Sequence, residues 1–73
     1  MRNLIGPRLK DMRTQRELSQ VELAAAMDVD HNIKLDRSDI SEIERGRRGV
    51  KDFELDAFAA VLDVSPVWLL RGE

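Results

Sequence analysis

One short stretch concentrates the groups able to do chemistry: Asp36-Arg37-Ser38-Asp39-Ile40-Ser41-Glu42-Ile43-Glu44-Arg45-Gly46-Arg47-Arg48. Ile40 and Ile43 stand three apart and define the inward face of a helix whose outward face is polar, with Arg37, Ser38 and Glu42 among its side chains. A guanidinium offers N–H donors in a fixed fork, a hydroxyl donates or accepts, and a carboxylate accepts. These groups match the edges of nucleic-acid bases. Arg37 suits guanine O6 and N7, Glu42 suits cytosine N4, and Ser38 discriminates poorly. Read alone, Arg37 and Glu42 are equally ordinary solvated side chains of a surface helix. Arg45, Arg47 and Arg48 form a basic turn behind the helix, fit either for phosphates or for offsetting the helix dipole.

A second helix stands ahead of this one. Ser19-Gln20-Val21-Glu22-Leu23-Ala24-Ala25 opens with Ser19 as N-cap and Glu22 three positions on, a capping box. Leu18 and Leu23 stand at staple spacing, and Ala24 to Ala26 favour helix. Two short helices in this order, the second polar outside, form a device for placing a helix in the DNA major groove.

Other chemistry finds little support. The serines are explained by caps or groove positions, and His31 belongs to no triad arrangement. A lone histidine without cysteines makes no metal site, so His31 reads as a surface loop residue. There is no cysteine, which removes disulfides and thiolate zinc and suits a reducing cytoplasm. Neither a glycine-rich phosphate loop nor a cofactor motif is present. Met12 and Met27 read as core filler. We therefore expect no enzyme, no cofactor, no metal and no small-molecule substrate.

The chain has 73 residues, enough for one small domain over residues 1–73. Its net charge of −2 argues mildly against a protein that coats DNA. The distribution says more. Residues 1–27 hold five basic and three acidic groups, 28–36 one and three, 37–48 four and three, and 49–73 two and five. One face can meet phosphate while another avoids it. No apolar run is long enough to span a membrane.

No segment alternates with period 2, so the fold class is all-α. The spacing predicts helix one over about Pro7 to Arg16, with Ile5, Leu9 and Met12 inward and Pro7 at its first position. Helix two follows Ser19 and ends near Asn32, which suits a left-handed position. Ile33 and Leu35 tuck the following loop against the core. Asp36 caps helix three, Asp39 supports its start, and Gly46 ends it. Helix four covers Asp52 to Leu62, with Leu55, Phe58, Ala59 and Leu62 inward. Helix five starts at Ser65-Pro66 and carries Val67, Trp68, Leu69 and Leu70.

Three motifs in order now carry a resemblance: Ser19-Gln20-Val21-Glu22-Leu23-Ala24, Ile40-Ser41-Glu42-Ile43-Glu44-Arg45-Gly46, and Val64-Ser65-Pro66-Val67-Trp68-Leu69-Leu70. Over nearly its whole length the chain resembles the Cro/C1-type (XRE) helix-turn-helix domains of phage repressors. The resemblance implies a five-helix lambda-repressor-like domain, with helices two and three as the DNA-reading unit. It implies a sequence-specific transcriptional regulator, a repressor acting as a homodimer on an inverted repeat of double-stranded DNA, in the cytoplasm at the nucleoid. It implies base contacts from Arg37, Ser38 and Glu42. Phosphate contact by Gln20, which also braces helix three, is implied as well. Arg45, Arg47 and Arg48 join it as phosphate candidates, with Arg8 and Lys10 weaker ones. The resemblance further implies a partly buried Arg13–Glu44 ion pair. Val67, Trp68 and Leu70 of helix five, with the loop before helix four, are the expected dimer surface.

Three departures stand out. Asp28 replaces the glycine that opens the family's short turn, and Asp30 to Leu35 lengthen that turn. Asp63 replaces another glycine, and aspartate tolerates the left-handed conformation. Lys51 stands where a capping serine or threonine is usual, and Asp52 is expected to take over. Two rival readings are a protein-interaction module on the same fold, such as an antitoxin or adaptor, and a DNA-binding fragment of a longer regulator.

Overall fold

The computed structural model describes residues 5–72. The expected domain over residues 1–73 therefore extends past the described residues at both ends. Those residues form five helices and no strand: α1 (Ile5–Gln15), α2 (Gln20–His31), α3 (Arg37–Glu44), α4 (Asp52–Leu62) and α5 (Pro66–Arg71). The architecture is the expected all-α, five-helix one.

Local signals set most boundaries. The Ser19 hydroxyl accepts from Glu22 N–H at 3.0 Å, and the Glu22 carboxylate accepts from Ser19 N–H at 2.8 Å. Two N–H groups that the helix cannot satisfy itself are thereby paired. Asp36 and Asp39 repeat the device at α3, at 2.9 and 3.0 Å. Asn32 closes α2 at φ 55° and Asp63 closes α4 at φ 57°, both left-handed as expected. Gly46, at φ 75°, donates to Ile43 while Arg47 donates to Glu42, so the last turn of α3 stops there.

Three expectations need correction. α1 begins at Ile5, so Pro7 lies inside its first turn, where a missing N–H still breaks no helical bond. His31 is the exposed last residue of α2 and not a loop residue. Asp52 does not cap α4; Lys51 holds the cap position, and its ammonium has no acceptor to offer. The Glu54 carboxylate instead reaches back to accept from Lys51 N–H at 2.9 Å.

The core is built from Leu9, Leu23, Met27, Ile40, Ile43, Phe58, Leu62 and Leu69, all fully buried. Burying each such side chain contributes about 1.5–3 kcal/mol. Ile33 and Leu35 pack their loop against this core as expected, and Leu55 packs against it too, half-buried as they are. α1 touches α3, α4 and α5, while α2 touches α3 and α4. Three arginines, two on α1 and Arg16 just after it, tie carbonyls of other segments. Arg8 donates to Leu69 O at 3.2 Å, Arg13 to Leu18 O at 2.8 Å and Arg16 to Leu62 O at 2.9 Å. The Leu62 and Leu69 carbonyls belong to the last turns of α4 and α5, where helical partners run out.

Candidate nucleic-acid interface

α3 is short, so its aim depends on what clamps it. Ile40 and Ile43 bury its inner face. At its far end, Glu44 takes a bidentate hold from Arg13 of α1, with Nε to Oε2 at 2.6 Å and Nη2 to Oε1 at 3.2 Å. Gln20, the first residue of α2, donates to the same Oε1 at 3.1 Å. One carboxylate therefore joins α1, α2 and α3. These are the ion pair and the bracing glutamine that the resemblance implied.

The outer face of α3 is left open. Arg37, Ser38, Ser41, Glu42 and Arg45 line one shallow depression. A second depression, between α3, the second half of α1 and the start of α2, is lined by Lys10, Arg13, Gln20, Arg37, Ser41, Glu44 and Arg45. Arg37 and Arg45 belong to both, and Lys10 adds a third exposed cation. Arg37 and Ser38 are exposed at the helix start, beside its positive dipole end. Glu42 Oε2 is shielded from solvent yet accepts no hydrogen bond, with Arg47 Nη1 at 3.9 Å. Asp39 is turned back onto Asp36 N–H and does not present its carboxylate outward.

The basic turn divides into two kinds of arginine. Arg45 and Arg47 are exposed. Arg48 is not free, because its guanidinium grips Glu54 with Nη1 to Oε1 at 3.2 Å and Nη2 to Oε2 at 3.0 Å. Burial pushes the Glu54 carboxyl up, but the Arg48 and Lys51 N–H hydrogen bonds and the charges of both residues outweigh it and hold it below its ordinary value. The same hydrogen bonds push Arg48 upward. Neither Glu54 nor the role of Gly6 was legible in the sequence. A Cβ on Gly6 would stand 2.4 Å from Ile43 O and 2.7 Å from Glu44 O, so α1 meets the end of α3 at the closest backbone approach a glycine allows.

Elsewhere, Val67 and Leu70 are exposed and Trp68 is half-buried against the core. No helix among the described residues is long and apolar enough to cross a membrane, and none of their acidic groups and histidines cluster as a metal site.

The arrangement of a braced helix with a hydrogen-bonding outer row has a sequence counterpart. The helix-turn-helix family matches residues 9–69. The chain belongs to that family, in its Cro/C1 type. Solved structures agree with the assignment. This helix-turn-helix domain is similar to the restriction-modification controller protein C.AhdI from Aeromonas hydrophila, at 36% identity over 92% of each chain and a TM-score of 0.77. It is similar to the P22 c2 repressor, solved with synthetic operator 9T, at 26% identity over 96% of this chain and 97% of that one, with a TM-score of 0.82. The clp gene regulator ClgR from Corynebacterium glutamicum shares 26% identity over 93% of this chain and 66% of its own, with a TM-score of 0.80. No curated protein sequence matches the chain. The helix-turn-helix domain is thus a DNA-binding regulator of transcription by class.

Proposed function

We propose that this domain represses transcription by occupying an inverted-repeat operator as a homodimer at the nucleoid. The observation that carries the reading is the contrast across α3. Its inner residues are locked by the core and by Arg13 and Gln20, while its outer row keeps hydrogen-bonding groups free. In this reading Arg37, Ser38 and Glu42 read base edges, and the half-exposed Glu42 carboxylate suits a cytosine amino group. Gln20, Arg45 and Arg47 take phosphates, with Lys10 beside them. Arg48, also a phosphate candidate by sequence, acts through Glu54 by holding the turn that carries its neighbours. Val67, Trp68 and Leu70 of α5 form the dimer surface, which sets two copies of α3 about 34 Å apart, one helical turn of DNA. The P22 c2 repressor, solved with its synthetic operator, supports this pose. The reading includes no catalytic step and no cofactor.

The test is selection from a randomised duplex pool at two salt concentrations, with the native chain and Arg37→Ala. Enrichment of an inverted repeat, weakened by salt and blurred at one base position by the substitution, is the expected result. Weak binding that ignores both salt and Arg37 overturns it in favour of a protein-interaction module.

A further inference from the structure

The lengthened turn between α2 and α3 carries a charge that the site above does not use. The turn is tied at both ends. Asn32 closes α2, Ile33 N–H donates to Met27 O at 3.1 Å, and Asp36 opens α3 with its capping box. Ile33 and Leu35 both pack against the core. Lys34 lies between them with its side chain 73% exposed. Its two neighbours are held to the core while its own side chain stays in solvent. Its ammonium pairs with the carboxylate of Asp28, on the last turn of α2. Lys34 is therefore a cation on a braced turn, three residues ahead of Arg37.

We propose that Lys34 is a phosphate contact supplied by the lengthened turn, with Asp28 as the positioning residue that aims it. The proposal rests on α3 reading DNA as described above. Three residues span at most about 10 Å, and the major groove is about 12 Å wide between its sugar-phosphate walls. With Arg37 on a base edge, the Lys34 side chain reaches the phosphates of the nearer wall. An ammonium has three donors, so one bond to Asp28 leaves donors for a phosphate oxygen. Four other cations are already committed. Arg8, Arg13, Arg16 and Arg48 spend their guanidinium groups on carbonyls and carboxylates of the fold itself. The added turn residues, which include Asp30 and so carry no net charge, thereby set a cation beside Asp28 and offset its charge.

The experiment measures affinity for a duplex carrying the selected repeat, from about 50 to 200 mM salt, for the native chain, Lys34→Ala and Lys34→Arg. Each phosphate contact adds about 0.9 to the slope of log affinity against log salt. Lys34→Ala is expected to flatten the slope by about that amount per bound copy, without changing which bases are preferred. Lys34→Arg is expected to restore it. The pair is exposed, and circular dichroism of Lys34→Ala is expected to match the native chain. A Lys34→Ala slope equal to the native one overturns the proposal and leaves α3 as the reader. A native chain whose DNA affinity ignores salt overturns the α3 reading itself.

Discussion

Arg13 and Glu44 lie 31 residues apart and meet through two hydrogen bonds, with their side chains only 11% and 4% exposed. The pair joins α1 to the last residue of α3. Gln20 completes it from the start of α2. A carboxylate this sheltered is tolerable only because its oxygens are occupied.

Arg13→Ala leaves that carboxylate buried without its cation. Its expected cost is about 3–5 kcal/mol of folding stability, read by urea denaturation. DNA affinity is expected to fall only in proportion to the unfolded fraction, because the Arg13 guanidinium is spent on Glu44 and the Leu18 carbonyl and not on DNA. A folded, fully stable Arg13→Ala chain that has lost DNA binding would show that the guanidinium touches DNA directly.

Glu54 makes stability depend on acid. Its folded carboxyl lies below the ordinary value of 4.5, so the unfolded chain takes up the proton first. Its contribution is therefore complete above about pH 5 and lost as pH falls through the folded value. Unfolding followed from neutral pH downward is expected to show a steeper loss in the native chain than in Glu54→Gln. Arg48→Ala is expected to lower stability at neutral pH, whereas Arg47→Ala, on an exposed side chain, is expected to lower only the salt-sensitive part of DNA affinity.

Gly6 makes room for the end of α3. Gly6→Ala places a methyl group against the carbonyls of Ile43 and Glu44, and backbone cannot step aside as a flexible side chain can. The expected loss is about 1–3 kcal/mol, the usual range for overpacking. Thermal unfolding beside Gly49→Ala, where an added Cβ meets nothing within 4 Å, separates this contact from a general effect of glycine replacement.

The sequence made the frame legible because caps act within four residues. Ser19 with Glu22, Asp36 with Asp39, Asn32 and Ser65 all announce boundaries through local hydrogen bonds, and the structure keeps each of them. The Arg13–Glu44 pair was legible only through resemblance, since nothing local ties residues on different helices. The long-range uses of Arg8, Arg16 and Glu54 left no signal. Each depends on how a helix lies against a neighbour, and the same residues on an isolated helix would read as solvated charge. Lys51 misled in the same way, because its cap position is completed from Glu54 and not from its own side chain.

The hydrogen bond from Arg8 to Leu69 spans 61 residues and brings the tail of the chain back to its beginning. α5 has only six residues, far fewer than a helix needs to persist alone in water. It is held by Leu69 in the core and by the first helix. Closing so long a loop costs entropy that only the finished core repays. α1 and α5 are thus the two halves of a clasp, and shortening the chain from its front as far as Arg8 is expected to loosen α5, which then keeps only α4 and the core.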